Sequence, residues 1–282
     1  MITELKYCGT NTYLVEGSKG ILLFDTGWAG TFRNFCHELG EKGKELQKID
    51  AILISHFHPD HMGIAQEIAD HGAKIVILDI QKPFLHNADP VFEKEPGMRF
   101  FPIRDEAVRV ITEEESPGFL TELGLSGKII PTPGHSDDSI TLWLDNGVAL
   151  AGDLNPLYEL ELHQGTQIEK SWEKILSLDP SMIYYGHART TVRKEKGPGC
   201  RNDPENEEKE NAGQGIEERS VSDHYELVSR MIRMIDKGYS IDKIKKKTGA
   251  DPVFIEDVSR MYLTHPGVSI HGILDRIEIK NR

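Results

Sequence analysis

The sequence predicts an α+β protein that ends in a small helical module, and three features of its 282 residues indicate this fold class. Short apolar runs rich in β-branched residues recur through residues 1–192 and have the length of buried strands. Segments with apolar residues at helical spacing separate several of these runs. After a polar stretch at residues 193–220, helical spacing returns in residues 221–282.

A β-hairpin is predicted near the start of the chain. Apolar and polar residues alternate through residues 11–16, the chain turns at residues 17–20, and an apolar run follows at residues 21–24. The elements predicted next are a helix at 30–45, a buried strand at 51–54, a helical segment through Ile64 and Ile68, a strand at 73–78, and an irregular insertion near a substrate cleft at 82–125.

A second set of strands is predicted after residue 125. The run 128–131 precedes Pro133-Gly134-His135, and Asp145-Asn146-Gly147 is a strong turn signal for a second hairpin. The remaining predicted elements are a strand at 148–151, a helix at 168–178, a strand at 182–185, a polar linker or loop at 193–220, and tail helices around 225–235, 241–248 and 252–263.

Composition limits the classes of function. The formal net charge is −13, which disfavours a nucleic-acid partner held through a broad basic face, so a small-molecule substrate is expected. No apolar run approaches the ~20 residues of a membrane span, and the start lacks a basic segment leading into an apolar run, so we expect a cytoplasmic protein. The three cysteines are too scattered for a disulfide framework.

Potential metal ligands directly follow four of the predicted strands. Because strand ends hold side chains in fixed positions, such residues suit a preorganised site. Imidazole and carboxylate groups suit zinc, iron and manganese, and the absence of paired cysteines disfavours a structural zinc finger. The candidate ligands are His56, His58, Asp60, His61, His135, Asp153 and His187.

The order His-x-His-x-Asp-His, Pro-Gly-His, Gly-Asp and Gly-His resembles the metallo-β-lactamase superfamily, and all seven ligand positions are filled. The resemblance implies an αββα sandwich, with residues 1–192 as the catalytic domain and two metal ions between the edges of the sheets. Zinc is the metal expected, with iron or manganese as alternatives. It also implies that His56, His58 and His135 bind the first metal, that Asp60, His61 and His187 bind the second, and that Asp153 bridges them.

The same resemblance suggests roles for three further groups. Asp60 is the candidate catalytic residue, which orients the nucleophile or carries its proton. Asp25, in Asp25-Thr26-Gly27, matches a position that supports a ligand histidine. Tyr158 follows Asp153 much as a substrate-binding tyrosine does in some lactonase-like relatives, although the spacing differs.

The function predicted first is hydrolysis of an ester, thioester or lactone by metal-bound hydroxide, because the short Pro-Thr-Pro-Gly-His-Ser segment and the compact length resemble glyoxalase II and lactonases. Phosphodiester or nuclease chemistry, a mononuclear-iron persulfide dioxygenase, β-lactam hydrolysis and a metal-bearing sensor or binding module stay open as alternatives. A homodimer also stays open.

Overall fold

A computed structural model describes residues 1–94, 99–193, 217–235 and 241–252, together with Tyr239 and scattered positions from 254 to 274. The chain divides into two compact units, Met1–Lys194 with Arg282 and Glu195–Asn281, and each is described by itself. No helix within the described residues combines the length and the apolar composition that crossing a bilayer requires. The predicted linker at 193–220 lies outside the described residues except at its two ends.

The first sheet contains six strands arranged in sequence order. They are β1 (Ile2–Tyr7), β2 (Thr10–Glu16), β3 (Ile21–Phe24), β4 (Ile49–Leu53), β5 (Lys74–Leu78) and β6 (Val108–Ile111). Strands β1 to β3 pair antiparallel, whereas β3 to β6 pair in parallel. The predicted first hairpin is confirmed as β2 and β3, and β1 adds a strand that the sequence did not predict.

The second sheet contains five strands in the order β11-β10-β9-β8-β7. They are β7 (Gly127–Pro131), β8 (Ile140–Leu144), β9 (Val148–Leu150), β10 (Met182–Tyr184) and β11 (Thr191–Val192). Strands β9 and β10 pair in parallel, and the other pairs are antiparallel. The predicted second hairpin is confirmed as β8 and β9, with Gly147 at a φ of 81° in the turn between them.

Helices cover the outer faces of the sheets and connect the strands. The α-helices of this unit are α1 (Phe32–Glu41), α2 (Pro59–Met62), α3 (Ala65–Ala69), α4 (Asp89–Glu93), α5 (Ser116–Glu122) and α6 (Gln167–Leu176). Short 3₁₀ helices lie at Leu46–Lys48, Asp79–Phe84, Asp105–Ala107 and Leu157–His163. Helix α1 is shorter than the predicted 30–45, because Gly40 and Gly43 weaken helix formation at its C-terminal end.

The prediction of an irregular insertion at residues 82–125 is wrong in part. This segment contains α4, the sixth strand of the first sheet and α5, although residues 95–98 lie outside the described part of the chain. Strand β6 was not predicted because it is a four-residue edge strand with two exposed side chains. Such a strand is too short to show a clear alternation of apolar and polar residues.

Three hydrophobic clusters establish the order of the layers. Phe24 and Leu142 belong to the cluster between the two sheets, to which both sheets contribute strand residues. Phe35 of α1 packs in a cluster on the other face of the first sheet, and Trp172 of α6 packs in a cluster on the other face of the second. The layers therefore run helix, sheet, sheet, helix, and the predicted αββα sandwich is confirmed.

The C-terminal unit contains α7 (Glu217–Ile235) and α8 (Ile241–Thr248). Val228 and Met231 of α7 and Ile244 of α8 are buried in one apolar cluster. The predicted helices around 225–235 and 241–248 are confirmed, but α7 begins at Glu217, so the last residues of the predicted linker are helical. The helix predicted at 252–263 lies partly outside the described residues.

Leu142→Ala is expected to lower the free energy of unfolding by about 2–5 kcal/mol, because it leaves a cavity between the two sheets. Leu142 is fully buried, whereas Val110 on the edge strand is 42% exposed. The control Val110→Ala is expected to change stability by about 0.5 kcal/mol or less. Urea unfolding of both variants measures the difference, and equal losses would contradict the assignment of the core.

Candidate metal centre

The predicted metal ligands lie just beyond the C-terminal ends of four strands. Strand β4 ends at Leu53 and leads to His56 and His58. In the second sheet, β7, β9 and β10 end shortly before His135, Asp153 and His187. Packing the two sheets face to face therefore brings side chains from distant parts of the chain to one edge of the sandwich.

Pro59 explains why two more ligands follow so closely after His58. Proline fits the first position of a helix, and α2 begins at Pro59 with an extended His58 before it. Asp60 and His61 consequently fall in the first turn of α2, where both are buried. One strand, one loop and one helical turn thus supply four of the seven ligands.

Three histidines form the first cluster. His56 Nε2 lies 3.0 Å from His58 Nδ1, and His135 Nε2 lies 3.1 Å from the same His58 nitrogen. The three donor atoms all lie within 4.8 Å of one another. This arrangement brings together the three predicted ligands of the first metal.

The second cluster contains Asp60, His61, Asp153 and His187, whose donor atoms also lie within 4.8 Å of one another. His187 Nε2 lies 2.8 Å from Asp60 Oδ2, and His61 Nε2 lies 3.8 Å from the same oxygen. Neither cluster includes a cysteine.

Asp153 lies between the two clusters. Its Oδ2 is 3.4 Å from His61 Nε2 and 3.6 Å from His187 Nε2, both in the second cluster. The same oxygen is 3.7 Å from His135 Nε2 in the first cluster. Asp153 Oδ2 therefore lies within 4 Å of donor nitrogens from both clusters.

Asp25 supports His61 from the buried side of the centre. Its Oδ2 lies 2.9 Å from His61 Nδ1, and it also accepts hydrogen bonds from the Ser55 backbone N–H and hydroxyl at 2.7 and 2.9 Å. Asp25 is fully buried and has a φ of 62°, a conformation that aspartate tolerates better than most residues. Because the Asp25 carboxylate accepts from Nδ1–H, His61 Nε2 keeps its lone pair for a metal.

The turn between β1 and β2 and the first residue of β2 support two further predicted ligands, a connection that the sequence did not predict. The Gly9 carbonyl lies 2.8 Å from His187 Nδ1, and the Thr10 hydroxyl donates to the Asp60 carbonyl at 3.0 Å. Any residue has a backbone carbonyl, so the sequence carries no signal for the first contact. Ser55 was also missed, although it directly precedes His56 and its hydroxyl lies 3.0 Å from His56 Nδ1.

The charges in the second cluster favour a cation. Burial would lower the pKa of His61, but the carboxylates of Asp153, Asp25 and Asp60 outweigh it and raise that pKa well above its usual value. Burial would raise the pKa of Asp60 and of Asp153, but the neighbouring histidines hold both values well below the usual range. Carboxylates that stabilise a protonated imidazole here would also stabilise a metal ion.

The first cluster differs from the second because it consists of three histidines and contains no carboxylate. Burial lowers the pKa of the His56 imidazole well below its usual value, and the neighbouring His61 acts in the same direction. His56 is therefore neutral near pH 7, which is the form of histidine that binds metals.

The residues of the centre fit divalent metal ions. His61 Nε2 is buried and makes no hydrogen bond of good geometry among the described residues, although Asp153 Oδ2 lies 3.4 Å away, and a metal ion bound beside both atoms would satisfy them. A Cβ atom at Gly186 would lie 2.7 Å from both Asp153 Oδ1 and His61 Cε1, so only glycine leaves room for these side chains. The nitrogen and oxygen donors match the preferences of zinc, iron and manganese.

Tyr158 is the predicted substrate-binding residue. It lies on the 3₁₀ helix Leu157–His163, and its side chain is 49% exposed. Its role in substrate binding stays a prediction.

Comparison with protein families agrees with this geometry. Residues 5–187 match the family model described as the metallo-beta-lactamase superfamily. The chain belongs to this superfamily. The resemblance inferred from the sequence motifs is thereby confirmed, and the match ends at the last predicted metal ligand, His187.

Two animal relatives in this superfamily are named Beta-lactamase-like protein 2 homolog. The one from Drosophila melanogaster is 30% identical over 189 residues, which cover 64% of this chain and 58% of that protein. The one from Caenorhabditis elegans is 29% identical over 185 residues, which cover 64% and 56%. The alignments thus span less than two thirds of these relatives.

A protein of Thermococcus kodakarensis named metal-dependent hydrolase is 33% identical over 112 residues, which cover 39% of this chain and 46% of that protein. The prediction of an enzyme of the metal-dependent hydrolase type agrees with the superfamily and with this name.

Solved structures share the fold. A metallo-beta-lactamase family protein from Thermus thermophilus superposes with a TM-score of 0.52 at 21% identity, covering 68% of this chain and 74% of that one. The BLEG-1 B3 metallo-beta-lactamase superposes with a TM-score of 0.54 at 22% identity, covering 68% and 94%. At these identities the likeness establishes the αββα fold, and substrates are a separate question.

Asp25→Asn is expected to weaken metal binding by about tenfold or more, because it withdraws the charged partner that orients His61. Asparagine also tolerates positive φ, so the variant tests the carboxylate rather than the backbone. Asp79→Asn is the control, because Asp79 also follows a strand but is exposed. Competition with a chromophoric chelator measures both affinities, and unchanged affinity in Asp25→Asn would contradict this role.

Proposed function

We propose that the protein is a hydrolase that uses two divalent metal ions, most simply zinc, to cleave a carboxylic ester, thioester or lactone. The observation that supports this most directly is the position of Asp153 Oδ2, which lies 3.4 to 3.7 Å from donor nitrogens of both clusters. A shared carboxylate is the feature expected of two adjacent metal ions rather than one.

Two bound divalent cations would lower the pKa of water and polarise the carbonyl oxygen of a substrate. The chain supplies the ligands in the correct tautomers for this role. Asp25 and the Gly9 carbonyl each accept from an Nδ1–H, on His61 and His187, so both Nε2 atoms face the centre. Fixed tautomers and buried hydrogen bonds keep the ligands in place during turnover.

Asp60 is the proposed catalytic carboxylate. Its pKa is held well below the usual range by His61 and His187 against the opposing effect of burial, so it is ionised near pH 7. Its Oδ2 lies 2.8 Å from His187 Nε2, and the proposal assigns this carboxylate to accept a hydrogen bond from the attacking water. As an acceptor, Asp60 would orient that water and carry its proton toward the leaving group.

Charge and the Pro-Thr-Pro-Gly-His-Ser motif support the proposed substrate class. A net charge of −13 disfavours a long polyanion such as nucleic acid, because neutralising many phosphates takes a broad surface of Lys and Arg side chains. Phosphodiester hydrolysis and oxidation of a persulfide by dioxygen at a single iron ion are the competing activities. They are distinguished by the metal content and by the bond that is cleaved.

The test is a panel of substrates assayed with protein of measured metal content. The proposal expects two metal ions per chain and turnover of an ester, thioester or lactone that stops on chelation and returns when metal is added back. One iron ion with oxygen uptake would favour the dioxygenase. Preferential cleavage of a phosphodiester would replace the proposed substrate class.

Asp153→Ala is expected to lose at least one metal ion per chain and nearly all turnover, because it removes the carboxylate shared by the two clusters. Asp105→Ala is the control, since Asp105 pairs with His86 and its side chain is 83% exposed. Elemental analysis and the rate on the best substrate of the panel provide the measurements. Full activity of Asp153→Ala would exclude the bridging role.

A further inference from the structure

A buried carboxylate outside the two clusters joins the loops that carry the first one. Asp138 lies in the loop between β7 and β8, three residues after His135, and is 3% exposed. Its Oδ2 accepts a hydrogen bond of 2.6 Å from the backbone N–H of Phe57. Phe57 stands between His56 and His58, so this bond connects the loop of two first-cluster histidines with the loop of the third.

Gln81 reinforces the same junction from within the protein. Its side chain is fully buried, and its Nε2 donates to the Ile54 carbonyl and to the Asp138 carbonyl, both at 3.0 Å. Its Oε1 accepts from the Leu78 N–H at 3.1 Å, which fixes the amide in one orientation. The Gln81 side chain thus links Ile54, the residue that follows β4, to the backbone of Asp138.

The first cluster needs this junction because its ligands come from both sheets. His56 and His58 follow β4 of the first sheet, whereas His135 follows β7 of the second. Any sliding of one loop against the other would separate His135 Nε2 from His58 Nδ1, which now lie 3.1 Å apart. Burying a carboxylate is costly unless it is hydrogen-bonded, and Asp138 meets this requirement by accepting from the Phe57 N–H at the junction of the two loops.

We propose that Asp138 is a positioning residue for the first metal ion, and that it acts by holding the His56–His58 loop against the His135 loop with Gln81 as its support. Asp138 does not need to touch metal or substrate for this role. The inference rests on the metal centre of the proposed function, but it is independent of which bond the enzyme cleaves.

The test compares Asp138→Ala with Asp138→Asn and with the matched control Asp137→Ala. Asp137 is the exposed neighbour of Asp138, so the control removes the same carboxylate one residue away. Metal affinity is measured by competition with a chromophoric chelator. Asp138→Ala should weaken one metal equivalent by about 10–100-fold, Asp138→Asn should lose less because its amide oxygen still accepts from Phe57, and Asp137→Ala should match the wild type.

A second readout separates positioning from general stability. In cobalt-substituted protein, the visible absorption reports ligand geometry, and it should change in Asp138→Ala but not in Asp137→Ala. Gln81→Met should change the spectrum in the same direction, since it removes the hydrogen bonds of Nε2 to the Ile54, Ser55 and Asp138 carbonyls. If Asp138→Ala yields no folded protein, Asp138→Ser replaces it as a smaller change that still removes the carboxylate.

Two results would overturn the inference. One is an Asp138→Ala protein that is less stable without metal but binds both metal equivalents with wild-type affinity and an unchanged cobalt spectrum. The other is an equal loss of affinity in Asp137→Ala. A wild-type protein that binds no metal would instead refute the proposed function itself, so the two failures are distinguishable.

Discussion

The metal centre depends on hydrogen bonds that join the ends of the two sheets. The Asn11 N–H donates to the Gly186 carbonyl at 2.8 Å, the Tyr13 hydroxyl donates to the Tyr185 carbonyl at 2.7 Å, and the Ile140 N–H donates to the Ser55 carbonyl at 2.9 Å. Apolar packing between the sheets is non-directional and leaves room for sliding. Hydrogen bonds at the site edge fix the relative position of the ligand loops, which a centre built from both sheets requires.

Charge imposes a second constraint on the same region. Asp25, Asp60 and Asp153 surround His61 in a buried setting, and buried charges are tolerated only when each is paired or hydrogen-bonded. Asp25 satisfies this requirement through its hydrogen bonds with Ser55 and His61. The carboxylates of Asp60 and Asp153 lie beside ligand imidazoles, and cations bound between the clusters would balance their charge. The second cluster is consequently the part of the structure whose stability should respond most to metal.

The strands that lead to predicted ligands could be predicted from the sequence, whereas two neighbouring strands and the backbone contacts that support the ligands could not. Runs such as 51–54 and 182–185 are short, apolar and β-branched or aromatic, and polar ligand residues directly follow them. The edge strand β6 and the first strand β1 lacked such a signal, because β6 is short and half exposed and β1 mixes buried and partly exposed positions irregularly. Contacts through backbone groups, such as the Gly9 carbonyl, leave no mark in a single sequence.

The glycines of the Gly-Asp and Gly-His pairs differ from these contacts, because close packing around the predicted ligands requires glycine and is therefore visible in the sequence. A Cβ at Gly186 would meet Asp153 and His61, and a Cβ at Gly152 would lie 2.5 Å from the Ser55 Cβ. In addition, Gly152 has a φ of 56°. Each glycine directly precedes one predicted ligand. Gly186 leaves space for two other residues of the second cluster, and Gly152 leaves space for Ser55. The dipeptides therefore encode two things at once: a donor atom, and the absence of a side chain that would displace its neighbours. Because each dipeptide must meet both requirements, the two motifs together indicate a metal site even though each is only two residues long.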